Sequence, residues 1–264
     1  MEFYAANGRR AHYLLSVPSS LTDRTIDRDR LGSEAAALHA RFPDVSMTLL
    51  VNDIADLTAV WQLGIDAEVV NGSCFVDEYT YMIDPACPKR FDAVCDLRAA
   101  SSERHRLAGS IASVVLVAAT HTDGAKVASI VNTANCALCL SQSGEPAEAT
   151  VEYLLCGVPI VTTRGVAARD WWLTDDIAIY ADDNQRDVAA AVERMRDRDM
   201  PAVYVRQTAL HRVRRERAMF FDLVEQIFAA HGQPARRYEP EFSKGFTHRW
   251  HEQSRKLAAF IGGA

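Results

Sequence analysis

The chain has 264 residues, 48% of them hydrophobic, and carries a formal net charge of −6. That length and apolar content admit a substantial core, in one large α/β domain or in two lobes, and exclude a disordered chain. The acidic balance excludes a surface built for polyanions, so no nucleic acid is expected as a partner and small-molecule chemistry is the better expectation.

No run of eighteen or more apolar residues occurs, and residues 1–10 are polar, without the apolar core of a signal peptide. A cytoplasmic protein without an integral membrane segment is therefore expected. The six cysteines lack the dense spacing of a disulfide framework and fit reduced thiols.

Short apolar runs alternate with helical patterns, which is the signature of βαβ units and a parallel sheet. Residues 12–17 and 46–51 read as strands, with a helix over 28–42 that stops before Pro43. A helix over 54–63 leads to a third strand at 67–71. Asn71, Gly72 and the prolines Pro85 and Pro88 then break the pattern. The expected organisation is a short α/β lobe over 1–83, a Rossmann-like domain over 84–235 and a tail over 236–264. The first lobe holds about three βα steps, fewer than the five or six strands of a full nucleotide-binding domain.

Beyond the boundary, strands are expected at 91–96, 113–118, 137–141, 159–163 and 177–180. Helices are expected at 103–111, 125–133, 147–156 and 186–198. A long helical stretch over 202–231, with apolar residues loosely at helical spacing, should pack across the sheet or back over the first lobe. Cys136 and Cys139 form a C-x-x-C, but their surroundings read as a buried strand. No second cysteine pair or histidine cluster completes a metal site there, so no metal is expected.

The chemistry concentrates in residues 141–163, which read as strand end, tight turn, helix and strand. Pro146 suits the first helical position, and Gly157 followed by Pro159 suits the helix end. The helix thus begins at the carboxyl end of a strand, where ligands bind in open α/β sheets and free amides accept phosphate. Glu145, Glu148 and Glu152 fall on one stripe beside the apolar Val151, Leu154 and Leu155. Carboxylates there can accept hydrogen bonds from sugar hydroxyls. For Glu145 and Glu148 the helix dipole alone is a sufficient reason, whereas Glu152 lies past the first turn, beside a run that must be buried, and needs a partner. A phosphate near these carboxylates requires cations. Arg98, after the strand at 91–96, and Arg104, at the next helix start, are the candidates, though each also reads as an ordinary surface arginine. His12, His105 and His121 are candidate cleft residues or bystanders; His121 is the best placed, just past a strand's carboxyl end.

The stretch from Glu152 through Gly157 and Pro159 to Val161 resembles the E-A-(L/M)-A-x-G-x-P-V-V signature of retaining GT-B glycosyltransferases. That large family includes sucrose synthases and many bacterial mannosyl- and glucosyltransferases. Further pieces are similar to elements of one bacterial subgroup: Asn71, Phe75, Val76, Asp77 and Glu78 to an interlobe N-x-x-F-(V/I)-D-E; Phe91, Asp92, Ala93 and Val94 to Y-D-A-(I/V); Arg104, His105, Leu107 and Ala108 to K-R-H-x-L-A; Arg169 and Asp170 to a G-G-R-D loop. Together they run from near residue 71 to near residue 230.

The resemblance implies a doubly wound, Rossmann-like parallel α/β sheet with a truncated α/β N-terminal lobe. It also implies transfer of a sugar, with retention and without metal, from a UDP- or GDP-linked nucleotide sugar to a small-molecule acceptor. No other cofactor is expected. Arg98 and Arg104 would neutralise the leaving diphosphate as the catalytic cations. Glu152 would bind the nucleotide ribose, and amides around Ala149, Thr150 and Val151 would help hold the diphosphate. Glu145, His121 and Arg169 would join the donor site.

Two positions depart from the pattern: Gly144 stands where the family has its first glutamate, and Glu103 where it has a diphosphate lysine. Glu145 and Arg104 follow one place later in each case. These departures leave open a non-catalytic sugar-nucleotide-binding protein, or the partner subunit of a two-chain transferase. A dinucleotide enzyme lacks support, because no G-x-G-x-x-G follows the first strand. The short first lobe suggests a small acceptor, or one with an easily ionised nucleophile such as a thiol. A neighbouring subunit in a homo-oligomer is the other way to complete the cleft, with residues 220–228 as its contact surface.

Overall fold

The computed structural model describes residues 11–17, 27–97, 102–118, 120, 123–140, 147–165 and 167–233. Arg98, His121, Gly144, Glu145 and the expected tail over 236–264 lie outside the described residues.

Two parallel sheets form. The first contains β1 (Ala11–Ser16), β2 (Val45–Val51) and β3 (Ala67–Val69) in that order. Its crossovers carry α1 (Arg28–Arg41) and α2 (Ile54–Trp61). The second contains β4 (Phe91–Asp96), β5 (Val114–Val117), β6 (Ala134–Cys139), β7 (Ile160–Thr163) and β8 (Ala178–Ala181), in the order β5-β4-β6-β7-β8. Helices α3 (Gly124–Asn132), α4 (Glu148–Leu155), α5 (Ala167–Asp170) and α6 (Gln185–Asp197) follow β5 to β8 in turn, and α7 (Ala202–Ala230) comes last.

Short polar side chains start the helices. Asp27, Asp53, Asp123 and Asn184 cap α1, α2, α3 and α6, each accepting from an amide of the first turn; such a cap contributes about 1 kcal/mol. Ala147, before α4, makes no side-chain cap bond.

The second sheet is covered on both faces, as its period-two burial requires. Val94, Ala137, Cys139 and Ile160 face one core with Val127 of α3 and Leu154 of α4. Ala93, Cys95, Cys136 and Val161 face the other, with Val188 and Val192 of α6. Cys136 and Cys139 therefore point to opposite faces and share no ligand position. Burial pushes the Cys136 thiol up to about 12 and the Cys139 thiol up to about 11. The C-x-x-C is a core strand, as expected.

Helix α5 and the 3-10 turn Gly72–Phe75 were not expected, β3 is shorter than the expected 67–71, and two further elements differ in extent or type. The strand expected at 137–141 starts earlier, at Ala134, because Phe91 of β4 pairs with it there. The helix expected over 103–111 is a 3-10 turn, Ser102–Ala108. It is tied to two strand ends at once: His105 Nε2 lies 2.9 Å from the Asp96 carbonyl and Arg104 Nε donates to the Leu140 carbonyl. The tighter coil suits so short a piece.

Helix α7 buries Val205, Ala209, Val213 and Phe220 along one stripe. It packs on α4 and on the 3-10 turn Gly72–Phe75. Beyond its end, His231 Nε2 lies 3.5 Å from Ser46 Oγ on β2, so the long helix joins both sheets. Phe220 is 5% exposed and stacks edge-on against Phe75, with Phe221, Leu223 and Val224 packed on the same core. This part of the expected subunit contact over 220–228 is covered by the chain itself.

Gly157 ends α4 at φ +72°. A Cβ there would lie 2.7 Å from the Ala202 carbonyl oxygen and 2.9 Å from Ile83, so both the left-handed backbone and the close approach of α7 require glycine.

Candidate functional site

The order of the second sheet reverses at β4: the chain passes from β4 to its neighbour β5 on one side, then crosses to β6 on the other. The crevice outside the carboxyl ends at such a switch point is the ligand site of open α/β sheets. The chain leaves β4 towards Arg98 and leaves β6 towards Glu145. Both residues thus follow, in sequence, the two strands that border the switch.

Among the described residues, three expected site residues converge on the carboxyl ends of β6 and β7. Arg104 donates from Nε to the Leu140 carbonyl and from Nη2 to Thr163 Oγ1 at 2.9 Å. Its Nη1 and Nη2 also grip both carboxylate oxygens of Asp183, at 2.8 and 2.6 Å. Arg169 is 2% exposed, and its Nη1 and Nη2 donate to the carbonyls of Cys139 and Thr163 at 2.9 and 2.5 Å. Thr150 Oγ1 donates to Cys139 Sγ at 3.3 Å. Arg104 is thus a cation at the strand edge, balanced by Asp183, whereas Arg169 and Thr150 hold the strand ends themselves.

At the start of α4 the Val151 amide is already donated to the Ala147 carbonyl at 3.2 Å. Val151 is also fully buried, so its amide is closed to a ligand, whereas Ala149 and Thr150 lie in the first turn, whose amides have no partner within the helix. Glu152 lies one turn further on. It is 7% exposed and accepts a 2.7 Å hydrogen bond from the hydroxyl of Tyr81, itself buried. The partner that a buried carboxylate needs therefore comes from the segment between the two sheets.

That segment is fastened by α7. Arg217, 6% exposed, pairs with the buried Glu78 and donates to the carbonyls of Cys74 and Val76 at 2.7 and 2.8 Å. Arg206 reaches the carbonyls of Glu78, Tyr81 and Leu155. Asn71 is fully buried; its Nδ2 donates to the Ala168 carbonyl at 2.9 Å and its amide to Glu216 at 3.2 Å. The expected interlobe element is thus a strap between α7 and the short helix α5.

The sequence reading missed Tyr81, Asp183 and Arg217. Their partners lie 71, 79 and 139 residues away, beyond the reach of any local spacing. Of the other histidines considered, His105 caps the end of β4, and His12 lies on β1 between Thr48 and Ser46 of β2, at 3.0 and 2.8 Å. Among the described residues there is no group of three or more His, Cys, Asp or Glu side chains able to hold a metal, and no helix is long and apolar enough to cross a membrane.

No protein-family model and no curated protein matches the sequence. Solved structures do match. Sucrose-phosphate synthase from Thermosynechococcus elongatus superposes with a TM-score of 0.57 at 14% identity, covering 87% of this chain and 76% of that one. Anabaena HepE, solved in complex with UDP, gives 0.59 at 14% identity over 86% of this chain and 74% of its own. The pneumococcal O-GlcNAc transferase GtfA, solved in complex with UDP and GlcNAc, gives 0.58 at 12% identity over 86% of this chain and 55% of its own. The chain therefore has the Rossmann-like α/β fold of GT-B glycosyltransferases.

Proposed function

We propose that this chain is a glycosyltransferase that takes a sugar from a UDP- or GDP-linked donor and passes it, with retention, to a small-molecule acceptor. The observation that carries the reading is the strand reversal at β4, which borders the switch point with the end of β6, next to the start of α4 and the Arg104 guanidinium. UDP is the favoured nucleotide, since HepE and GtfA were solved with it.

In this reading the Ala149 and Thr150 amides and Arg104 surround the donor diphosphate, with Arg98 as the second cation. Charge that develops on the departing diphosphate meets fixed positive groups, which is electrostatic stabilisation of the transition state. Glu152 takes the ribose hydroxyls while Tyr81 fixes its carboxylate. Arg169 acts by position, holding the ends of β6 and β7. Retention and the size of the acceptor rest on the sequence resemblance and the short first sheet.

A thermal-shift series with UDP, GDP, ADP and dTDP tests the donor site, because a ligand of the folded state raises its apparent stability. UDP is expected to stabilise most, and no shift with any nucleotide would overturn the reading. Slow hydrolysis of UDP-glucose, abolished by Arg98→Ala, then separates enzyme from binder. The pairing of Arg104 with Asp183 favours the binder, and nucleotide binding without any hydrolysis is its expected signature.

A further inference from the structure

A cavity of about 210 Å³ lies between the turn after α5 and α7, lined by Trp171, Arg212, Arg215 and Glu216. None of the four belongs to the donor site described above. Glu216 is 1% exposed and fully engaged on the protein side: Oε1 accepts from Trp171 Nε1 at 3.0 Å and Oε2 from the Asn71 amide at 3.2 Å. These bonds fix the indole ring and turn the carboxylate towards neutral donors. Arg212 bonds to described residues through Nη1 alone, to the carbonyls of Trp171 and Leu173. Arg215, one turn further on and exposed, makes no hydrogen bond or ion pair among the described residues. Burial first and the like charge of Arg215 second lower the Arg212 pKa from its ordinary value, with Glu216 and Tyr180 acting in the opposite sense but not overcoming them.

The geometry points to a binding site for a small phosphomonoester in this cavity, its phosphoryl group between Arg212 and Arg215 and its carbon skeleton against Trp171. A carboxylate presents two coplanar oxygens, which one guanidinium fork satisfies; two guanidiniums a helical turn apart suit an anion whose oxygens point in three directions. The anion also relieves the repulsion between the two cations. A fixed indole offers a broad apolar surface to an organic ligand. The volume is below the about 300 Å³ at which drug-sized pockets begin, so the cavity suits a sugar phosphate and is too small for a nucleotide sugar.

The test is titration calorimetry of the full chain with glucose 6-phosphate, inorganic phosphate, glucuronate and UDP. Glucose 6-phosphate is expected to bind saturably, and Arg215→Ala, at an exposed position that leaves folding intact, to weaken it about tenfold or more. UDP binding is expected to be unchanged by that variant, which keeps this site separate from the donor site. Trp171→Leu should remove the preference for glucose 6-phosphate over inorganic phosphate. The proposal is overturned if wild-type protein shows no binding up to about 10 mM, if Arg215→Ala binds as well as wild type, or if glucuronate or inorganic phosphate binds as tightly as glucose 6-phosphate.

Discussion

Tyr81 donates its hydroxyl hydrogen to Glu152 at 2.7 Å, joining the strap between the sheets to the second turn of α4. Both side chains are buried, so the Glu152 carboxylate is held by a residue from the segment between the two sheets.

Tyr81→Phe removes that donor and leaves a buried acceptor short of one bond. The expected loss of stability is about 1–3 kcal/mol, read as a lower urea midpoint with an unchanged slope. A midpoint equal to wild type would mean that the bond contributes nothing.

Gly157→Ala places a methyl group against the Ala202 carbonyl and Ile83 at a backbone φ of +72°. Strain and overpacking add here, for an expected cost of about 2–4 kcal/mol. Differential scanning calorimetry measures it. A change within about 0.5 kcal/mol, the usual range of a surface substitution, would show that the α4 end and α7 separate easily.

Arg217 and Glu78 form a buried pair. Removing Arg217 leaves Glu78 only the longer contact to the mostly exposed Arg214, at 3.8 Å, so Arg217→Met is expected to cost about 3 kcal/mol, the low end for a broken buried pair. The double variant Arg217→Met with Glu78→Gln should recover part of that loss, because the only charge that then loses its partner is that of the exposed Arg214. Chemical denaturation of the two variants tests this, and a double variant less stable than the single one would contradict the pairing.

His12 is held below its ordinary pKa of 6.5 by burial first and by the charge of His231 second, with Asp66 acting in the opposite sense. A base whose folded pKa is depressed binds protons more readily when unfolded. Its contribution to stability is therefore complete above pH 6.5 and is lost as the pH falls from 6.5 towards the folded value. Between about pH 8 and about pH 5 the wild type should lose more stability than His12→Phe. Equal slopes for the two proteins would refute the assignment.

Asp183 neutralises Arg104 at the edge proposed for the donor, and its side chain is 47% exposed. Asp183→Asn keeps the shape and removes the charge, while Leu140 and Thr163 still hold the guanidinium. UDP should then bind about 2–5 times more tightly, the size of a half-exposed ion pair. Weaker binding would mean that Asp183 orients Arg104 for the phosphate rather than competing with it.

The fold was legible because its elements are local. Each strand of the second sheet is a short apolar run, and Pro146, Gly157 and Pro159 bracket α4 in the sequence itself. The Ser102–Ala108 turn was not read correctly, since its coil follows from bonds to Asp96 and Leu140 rather than from its own residues. Arg104, Thr150 and Glu152 were named from spacing and resemblance, and the structure places Arg104 and Thr150 at the carboxyl ends of β6 and β7. Asp183, Tyr81 and the cavity at Trp171 were not, because each is defined by a partner far along the chain. Arg98, His121 and Glu145 follow strand ends in sequence but lie outside the described residues.

Two consecutive residues of α5 reach in opposite directions. The Ala168 carbonyl takes Asn71, which continues through Asn52 to the end of β1 at Val17, while the Arg169 guanidinium closes the ends of β6 and β7. A single peptide unit thus couples both sheets, and a rotation of one against the other has to break or drag hydrogen bonds at the mouth of the crevice. The relative placement of the two sheets is therefore held from a four-residue helix, α5.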